Sequence, residues 1–315
     1  MDYQPNFTVS PQAVLMVAEI SKLLERYDIV LKANDNLKLR RINKIKTIQS
    51  TLAIEGNTLS EKQITDIING KKVIAPLKEI QEVRNAIAAY DLFSELDPFS
   101  VSDLLKAHRV MMNALIDLPG RFRSGGAAVA DGQQILHIAP PASLVPGEIQ
   151  ALFHWLVSSP DHWLIKSSVF HYEFEYIHPF ADGNGRLGRL WQSLILTRLH
   201  PLFQYLPIET MVHGNQQLYY QSINASSTAN DCGIFIDFML REILNALKLH
   251  TSGDVNGGVN PVLDFIICHP GARTKEISGS LQIPLRTLQR ELSRLKSSGM
   301  IEFRGAPKNG GFFAK

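Results

Sequence analysis

The sequence from His178 to Arg189 reads HPFADGNGRLGR, and it decides how the rest of the chain is interpreted. The apolar run FEYI precedes it and the apolar run LWQSLILTRL follows it, so the segment joins two predicted helices. Glycines at 183 and 185 permit a tight turn and let a ligand approach the backbone closely. The first amides of the second helix lack partners within that helix and lie at its partially positive end. The stretch therefore predicts a binding site for an anion such as phosphate.

The side chains of this loop add chemistry to the anion site. Arg186 and Arg189 are three residues apart on the second helix, near one face, where forked guanidinium groups can hold further phosphates. Asp182 offers a hard carboxylate oxygen that suits Mg²⁺ bridging phosphates. His178 stands at the entrance of the loop and titrates near neutral pH, as a general base must. Together these residues predict transfer of a phosphate-containing group to a hydroxyl. A glycine-rich turn with solvated arginines is the structural alternative.

The loop resembles the signature of the Fic family, His-x-Phe-x-Asp/Glu-Gly-Asn-Gly-Arg-x-x-Arg, at every specified position. The resemblance covers residues from about 40 to 249. It implies a bundle of packed α-helices that uses ATP with Mg²⁺ and transfers AMP to a Ser, Thr or Tyr hydroxyl of a protein, releasing pyrophosphate. By the same resemblance His178 is the base, Asp182 holds the metal ion and Phe180 anchors the loop in the core. The nucleotide-binding residues that it implies are Gly183, Asn184, Gly185, Arg186 and Arg189.

Helical periodicity dominates residues 11 to 249, so the fold class predicted for the chain is mainly α. The predicted helices cover 11–26, 38–54, 60–69, 79–96, 100–116, 145–158, 163–177, 184–199, 215–227 and 231–249.

The main exception to this periodicity is AAVADGQQILHIAP, where Asp131-Gly132 separates two short extended runs of a predicted hairpin. The resemblance implies that this hairpin is a flap that positions the target beside His178, since an exposed strand edge can accept an extended peptide. A hairpin that only seals the helical core is the alternative. The implied target-contacting residues are Gln134, Ile135, Leu136 and His137.

A second motif, TLAIEGN, ends the helix predicted at 38–54. Its Glu55 falls in the last turn, at the partially negative helix end, just before the stop signal Gly56. Fic proteins carry an inhibitory helix with the pattern Ser/Thr-x-x-x-Glu-Gly/Asn, which Thr51 to Gly56 matches, and the resemblance pairs Glu55 with Arg189. Such a pair removes the cation that the γ-phosphate of ATP needs and places negative charge there. An incidental exposed glutamate before a C-cap glycine is the alternative.

The composition changes at HTSGDVNGGVNP, which reads as a flexible linker over 250–260. The segment 261–315 is similar to a small winged helix-turn-helix, with helices at 261–268, 274–280 and 285–297 and two strands, MIEFRG and GGFFAK. Nine Lys and Arg against four Asp and Glu over 260–315 favour nucleic acid, and a protein-interaction module is the alternative. The DNA-binding residues predicted on the last helix are Arg286, Thr287, Gln289 and Arg290.

The length and composition of the chain limit the classes of protein to which it can belong. The 315 residues, of which 45% are hydrophobic and 20% charged, with a formal net charge of +2, are typical of a globular chain of about two domains. Two distant cysteines predict neither a disulfide framework nor a zinc site and fit the cytoplasm. No signal peptide and no apolar run of about 18 residues is visible, so no membrane partner is expected. The predicted domains are 1–100 with the inhibitory helix at about 38–56, a catalytic core at 101–249, the linker and 261–315.

The leading interpretation is an autoinhibited protein adenylyltransferase that acts on a protein hydroxyl and also modifies itself. One alternative is a DNA-binding regulator whose Fic core senses a nucleotide or only modifies itself. Others are a Fic enzyme that uses another nucleotide or one that removes AMP from its target. The intact loop with His178 favours catalysis, because sensing requires no base. DNA is an expected partner of the C-terminal unit, and a homodimer is left open.

Overall fold

The computed structural model describes residues 3–27, 37–131, 134–252, 261–281, 283–297, 299–305 and 310–314. The chain is mainly α-helical, as predicted. Its helices are α1 Pro11–Arg26, α2 Leu37–Ile54, α3 Glu61–Ile68, α4 Leu77–Asp91, α5 Val101–Met111, α6 Val145–Ser158, α7 Trp163–Ile177, α8 Asn184–Leu196, α9 Ile208–Gly214, α10 Gln216–Ala229, α11 Gly233–Ser252, α12 Pro261–Cys268, α13 Thr274–Leu281 and α14 Leu285–Ser297. Two antiparallel hairpins supply the strands of the described residues: β1 Ala128–Asp131 with β2 Gln134–Ile138, and β3 Ile301–Arg304 with β4 Gly311–Ala314.

Most predicted helices lie where the sequence placed them, and α1, α6, α7, α12 and α14 have the predicted bounds. The helix predicted over 100–116 is wrong at its end, because α5 stops at Met111 and Ala114 has a left-handed backbone (φ 58°) that no α-helix continues through. The helix predicted over 79–96 is also too long, since α4 stops at Asp91 and a 3₁₀ turn follows. Helix α9 was not predicted, because its seven residues are too few to show a helical period.

Helix α7 forms the centre of the bundle, in contact with α6, α8 and α11. Almost every one of its residues is buried, so it lacks the exposed polar stripe of a surface helix. The aromatic rings of Phe170, Phe174 and Trp191 are fully buried where α7 and α8 meet. Close packing on all sides fixes the loop that joins these two helices.

The contacts that end α2 set the direction in which Glu55 points. Gly56 has a left-handed backbone (φ 87°), and the N–H of Asn57 donates to the carbonyl of Leu52, which closes the helix. The Asn57 side chain then donates to Glu82 on α4 at 2.8 Å. Because α2 also packs against α8 and α9, these contacts direct Glu55 towards the start of α8.

The C-terminal elements α12, α13, α14 and the hairpin β3–β4 pack on one another. Leu288, Leu292 and Leu295 form the buried side of α14, as predicted. This order of three helices and a hairpin agrees with the secondary structure expected from the sequence, and the winged-helix assignment stays a prediction. Most of the predicted linker lies outside the described residues, as does Gly132 in the predicted turn of the first hairpin. Among the described helices, none has the length and apolar character that crossing a membrane requires.

Candidate active site

The loop between α7 and α8 depends on two residues with left-handed backbones. His178 ends α7 with φ 49° and ψ 61°, and Gly183 precedes α8 with φ 86°. This φ favours glycine at 183, and a Cβ there would also lie 2.6 Å from the sulfur of Met112, whose side chain would have to move. The turn brings His178 to one side of the loop and leaves the first amides of α8 at the other.

Two side chains hold this loop closed. The side-chain oxygen of Asn184 accepts from the N–H of Phe180, and its side-chain nitrogen donates to the carbonyl of Phe180, each at 2.9 Å. Phe180 is fully buried, as predicted, and stacks on His108 with 3.7 Å between ring centroids. The resemblance placed Asn184 among the nucleotide-binding residues, but its side chain is engaged in bridging the loop. Its backbone N–H at the start of α8 is not used by this bridge, and a contact of Asn184 with a nucleotide stays a prediction.

His108 on α5 also supports the loop between α7 and α8. The sequence alone predicts no role for this histidine. Its Nδ1 accepts from the N–H of Gly120 at 2.8 Å, so Nε2 carries the hydrogen and donates to the carbonyl of Asp182 at 3.0 Å. Burial lowers the pKa of His108 to about 4, and the ring is neutral at pH 7. The neutral tautomer is the one that both hydrogen bonds require.

Arg123 joins the loop to the first hairpin. Its guanidinium is buried and donates to four backbone carbonyls, those of Gly125 (2.8 Å), Pro140 (2.5 Å), Ile177 (3.2 Å) and His178 (2.7 Å). Gly125 and Pro140 flank the two strands, so one side chain ties both ends of the hairpin to the backbone of His178. The sequence carries no signal for this role, because an arginine that binds carbonyls distant in sequence leaves no local pattern.

The predicted flap residues Gln134, Ile135, Leu136 and His137 all lie on β2. The strand pairs with β1 in an antiparallel register, in which Val129 faces His137 and Ala130 faces Ile135. The register shifts between those two pairs, as in a β-bulge. The hairpin itself is therefore confirmed, and its contact with a target stays a prediction.

Arg186 and Asp182 form one polar pair of the loop. Arg186 is buried and donates to Asp182 Oδ1 at 3.0 Å, and its other terminal nitrogen is 4.0 Å from Glu82. Asp182 keeps about half of its side chain exposed, beside the first amides of α8. Among the described residues, no three or more His, Cys, Asp or Glu side chains cluster as a metal cage. A single exposed carboxylate nevertheless fits Mg²⁺, which takes one or two protein carboxylates and completes its shell with water and substrate phosphates.

Arg189 is buried one helical turn into α8, and both inhibitory-motif residues contact it. Its Nη2 donates to Glu55 Oε1 at 2.7 Å and to the carbonyl of Thr51 at 3.1 Å, and its Nε donates to Thr51 Oγ1 at 3.0 Å. Burial opposes the charge of Arg189, but the Glu55 carboxylate outweighs it and raises the pKa of the guanidinium. The predicted pair is thus formed across 134 residues of sequence.

The Glu55 carboxylate also lies against the backbone of the anion loop. A Cβ built on Gly185 would be 2.6 Å from Glu55 Oε1 and 3.0 Å from Arg189 Nη1. The carboxylate therefore occupies the space over the first turn of α8, where unpaired amides and the helix dipole favour an anion.

The exposed residues of α14 form a separate candidate site. Arg286, Thr287, Gln289 and Arg290 all lie on its exposed side, opposite the buried leucines.

The fold and the site together define a helical protein with a phosphate-binding loop between two buried helices. Residues 98–196 match the Fic/DOC family. The whole chain is similar to a Fic family protein from Desulfovibrio desulfuricans G20, with 38% identity, a TM-score of 0.77 and coverage of 99% of this chain and 98% of that one. The chain belongs to the Fic family.

Relatives in animals are similar over part of their length. The protein adenylyltransferase Fic of Nematostella vectensis is 29% identical over 202 residues, which are 60% of this chain and 44% of the relative. The protein adenylyltransferase fic-1 of Caenorhabditis elegans is 26% identical over 264 residues, 77% of this chain and 49% of the relative. The chain thus spans about half the length of the curated relatives it matches.

Proposed function

We propose that this chain is a protein adenylyltransferase that transfers AMP from ATP to a Ser, Thr or Tyr hydroxyl of a protein, itself included, and that Glu55 holds it inactive. The observation that carries the proposal is the Glu55 carboxylate, which is 2.7 Å from Arg189 and lies over Gly185 in the anion site. The names of the animal relatives support the reaction.

In the proposed reaction His178 takes the proton of the target hydroxyl as its oxygen attacks the α-phosphorus of ATP. The bond from that phosphorus to the β-phosphate oxygen breaks, and pyrophosphate leaves with the electron pair. The backbone amides at Gly183 and Gly185 are proposed to face the negative charge of the phosphates, and in the structure the Gly183 N–H donates to Asp182 Oδ1 at 2.5 Å. Asp182 would hold Mg²⁺, which supplies charge neutralisation on the phosphates when it is bound.

Arg189 is the proposed partner of the γ-phosphate. Glu55 and that phosphate are both negative and cannot share one guanidinium at close range. Two like charges about 4 Å apart repel by roughly 4 kcal/mol at an effective dielectric constant near 20. Thr51 binds Arg189 through both its hydroxyl and its carbonyl, so removing the Glu55 side chain leaves the guanidinium held in place.

The reaction is tested with the Glu55→Gly protein, Mg²⁺ and each α-³²P-labelled nucleoside triphosphate in turn. We expect label to enter protein from ATP, and none in the Glu55→Gly, His178→Ala double variant. Label from γ-³²P-ATP would contradict AMP transfer and indicate a phosphotransferase. Label that enters protein from ATP and is then released as free AMP, once unreacted ATP has been removed, would favour the alternative in which the same site removes AMP.

The exposed side of α14 supports a second candidate function, the binding of DNA by the C-terminal unit. Its side chains are of types that contact phosphates and base edges. Arg286→Ala and Arg290→Ala are expected to weaken a gel shift and to reduce its salt dependence by about one ion each if each arginine contacts a phosphate. Lys296→Ala, at the other end of the helix, is the matched control. Binding that neither substitution changes would favour a module for protein contacts.

A further inference from the structure

A buried carboxylate on α7 takes no part in the mechanism above. Glu175 is 6% exposed, and its Oε2 is 4.0 Å from Nδ1 of His178. Its Oε1 is 3.9 Å from Nε2 of His171, one turn earlier on the helix, and has no hydrogen-bond partner among the described residues. A buried carboxylate oxygen that lacks a hydrogen bond is unfavourable and needs an explanation.

His171 does not balance the charge of Glu175. Its Nδ1 is 2.6 Å from the side-chain oxygen of Gln192, and its Nε2 is 2.9 Å from the hydroxyl of Tyr219. Both ring nitrogens are therefore engaged with other partners. Burial lowers the pKa of His171 to about 3, so its ring is neutral at pH 7.

We propose that Glu175 is a positioning residue for His178, whose Nδ1–H it attracts so that Nε2 faces the target hydroxyl. The carboxylate then also stabilises the imidazolium that forms when His178 takes the proton. This inference rests on the proposed function, in which His178 is the base. A histidine base oriented by a carboxylate on its far nitrogen is a general solution to proton transfer. At 4.0 Å the two atoms are beyond hydrogen-bond distance, and catalytic contacts of this kind often shorten when substrate binds.

The packing between α7 and α8 leaves room for this carboxylate. A Cβ built on Gly188 of α8 would lie 3.1 Å from Glu175 Oε1 and 3.3 Å from the ring of Phe174. Arg123 donates to the carbonyl of His178 at 2.7 Å and so fixes the backbone that carries the imidazole beside Glu175. Glycine at 188 and the arginine clamp thus both serve the pair.

The charged groups around Glu175 connect it to the inhibitory motif. Burial raises the pKa of Glu175 to about 7, Arg189 lowers it, and the negative charge of Glu55 raises it. The carboxylate form of Glu175 is therefore favoured by Arg189 and opposed by burial and by the charge of Glu55. The titratable groups around Glu175 are His171 and His178 on α7, Arg189 on α8, Glu55 just after α2, and Tyr219 and Tyr220 on α10.

The first test follows the ring nitrogens of His178 against pH by NMR in full-length protein labelled with ¹⁵N-histidine. The signals are assigned from their loss in His178→Ala. In Glu175→Gln we expect the titration midpoint of His178 to fall by at least about one pH unit, a tenfold loss of proton affinity. Glu173→Gln is the matched control, because Glu173 lies on the same helix and accepts from Tyr3 at 2.7 Å; we expect it to move the midpoint by less than about 0.3 unit.

A His178 midpoint that Glu175→Gln leaves unchanged overturns the proposal, whether or not the protein transfers AMP. If Glu175→Gln does not fold, Glu175→Asp takes its place, since it keeps the charge but withdraws it by one methylene. We expect a smaller fall of the midpoint in that variant, and no fall overturns the proposal equally.

The second test measures self-labelling from α-labelled ATP in the Glu55→Gly background. Adding Glu175→Gln should lower kcat by about 10- to 100-fold and leave the KM for ATP within about twofold, because a base is impaired while the nucleotide site is intact. Equal losses in kcat and in ATP affinity would assign Glu175 a structural role and overturn the proposal. If the Glu55→Gly parent shows no labelling but Glu175→Gln still shifts the His178 midpoint, the proposed function is contradicted and the positioning role of Glu175 is retained.

Discussion

Replacing Arg123 by alanine removes a guanidinium on which four backbone carbonyls depend. A hydrogen bond from a charged group contributes about 1.5–3 kcal/mol, and the contributions of one side chain are not additive. Since the bond to Ile177 is buried and the other three are partly buried, we expect Arg123→Ala to lower the free energy of unfolding by about 3–5 kcal/mol. At about 2–4 °C per kcal/mol for a domain of this size, Tm should fall by roughly 6–20 °C.

The assay is thermal unfolding of Arg123→Ala beside Arg121→Ala, an exposed arginine two residues earlier in the chain. Self-labelling in the Glu55→Gly background gives a second readout. A base displaced by about 1 Å loses roughly 100-fold in rate, so Arg123→Ala should lose at least that much below its Tm. A Tm difference between the two variants below about 2 °C corresponds to less than about 1 kcal/mol. Such a result would show that the clamp contributes almost nothing to stability and would refute the reasoning.

Three further predictions follow from the loop. The stability that neutral His108 contributes should be complete above about pH 6.5 and lost as the pH falls towards 4, because the unfolded chain binds the proton first. The urea midpoints of wild type and His108→Gln should therefore converge over that range. A difference between the midpoints that stays constant with pH would contradict this prediction. Gly185→Ala should abolish labelling even in the Glu55→Gly background, since its Cβ enters the anion site. Gly147→Ala on α6 is the control and should not abolish labelling, because nothing lies within 4 Å of a Cβ at that position. Labelling that survives in Gly185→Ala would contradict the proposed position of the anion site. Asp182→Ala should raise the Mg²⁺ concentration needed for half-maximal labelling by at least about tenfold, and an unchanged Mg²⁺ titration would remove Asp182 as the ligand.

The anion loop could be predicted from the sequence because its determinants are local. The glycines at 183 and 185, a helix start and two arginines three residues apart lie within 178–189, and each acts on its neighbours. The bounds of α6 and α7 were predictable for the same reason, since a long apolar period with clear stop signals leaves little choice. The pairing of Glu55 with Arg189 came from the family resemblance, because no local pattern relates residues 134 positions apart.

The supporting residues could not be predicted because their partners are backbone groups far away in sequence. His108 binds the carbonyl of Asp182, and Arg123 binds those of Ile177 and His178. Backbone carbonyls look alike in any sequence, so nothing identifies the one that a side chain reaches. Glu175 could not be predicted for a different reason. In the sequence it is one polar residue within the apolar run of α7, and only its buried position near His178 indicates a role.

The pairing of Glu55 with Arg189 is tested most directly by the initial rate of self-labelling from α-³²P-ATP in wild type and in Glu55→Gly, at equal protein and Mg²⁺ concentrations. The repulsion between Glu55 and the γ-phosphate, reduced because the Glu55 side chain is 30% exposed, predicts a rise of at least about tenfold. Adding Arg189→Ala to Glu55→Gly should remove the gain, since the γ-phosphate then has no guanidinium. A Glu55→Gly protein that labels no faster than wild type would contradict the account.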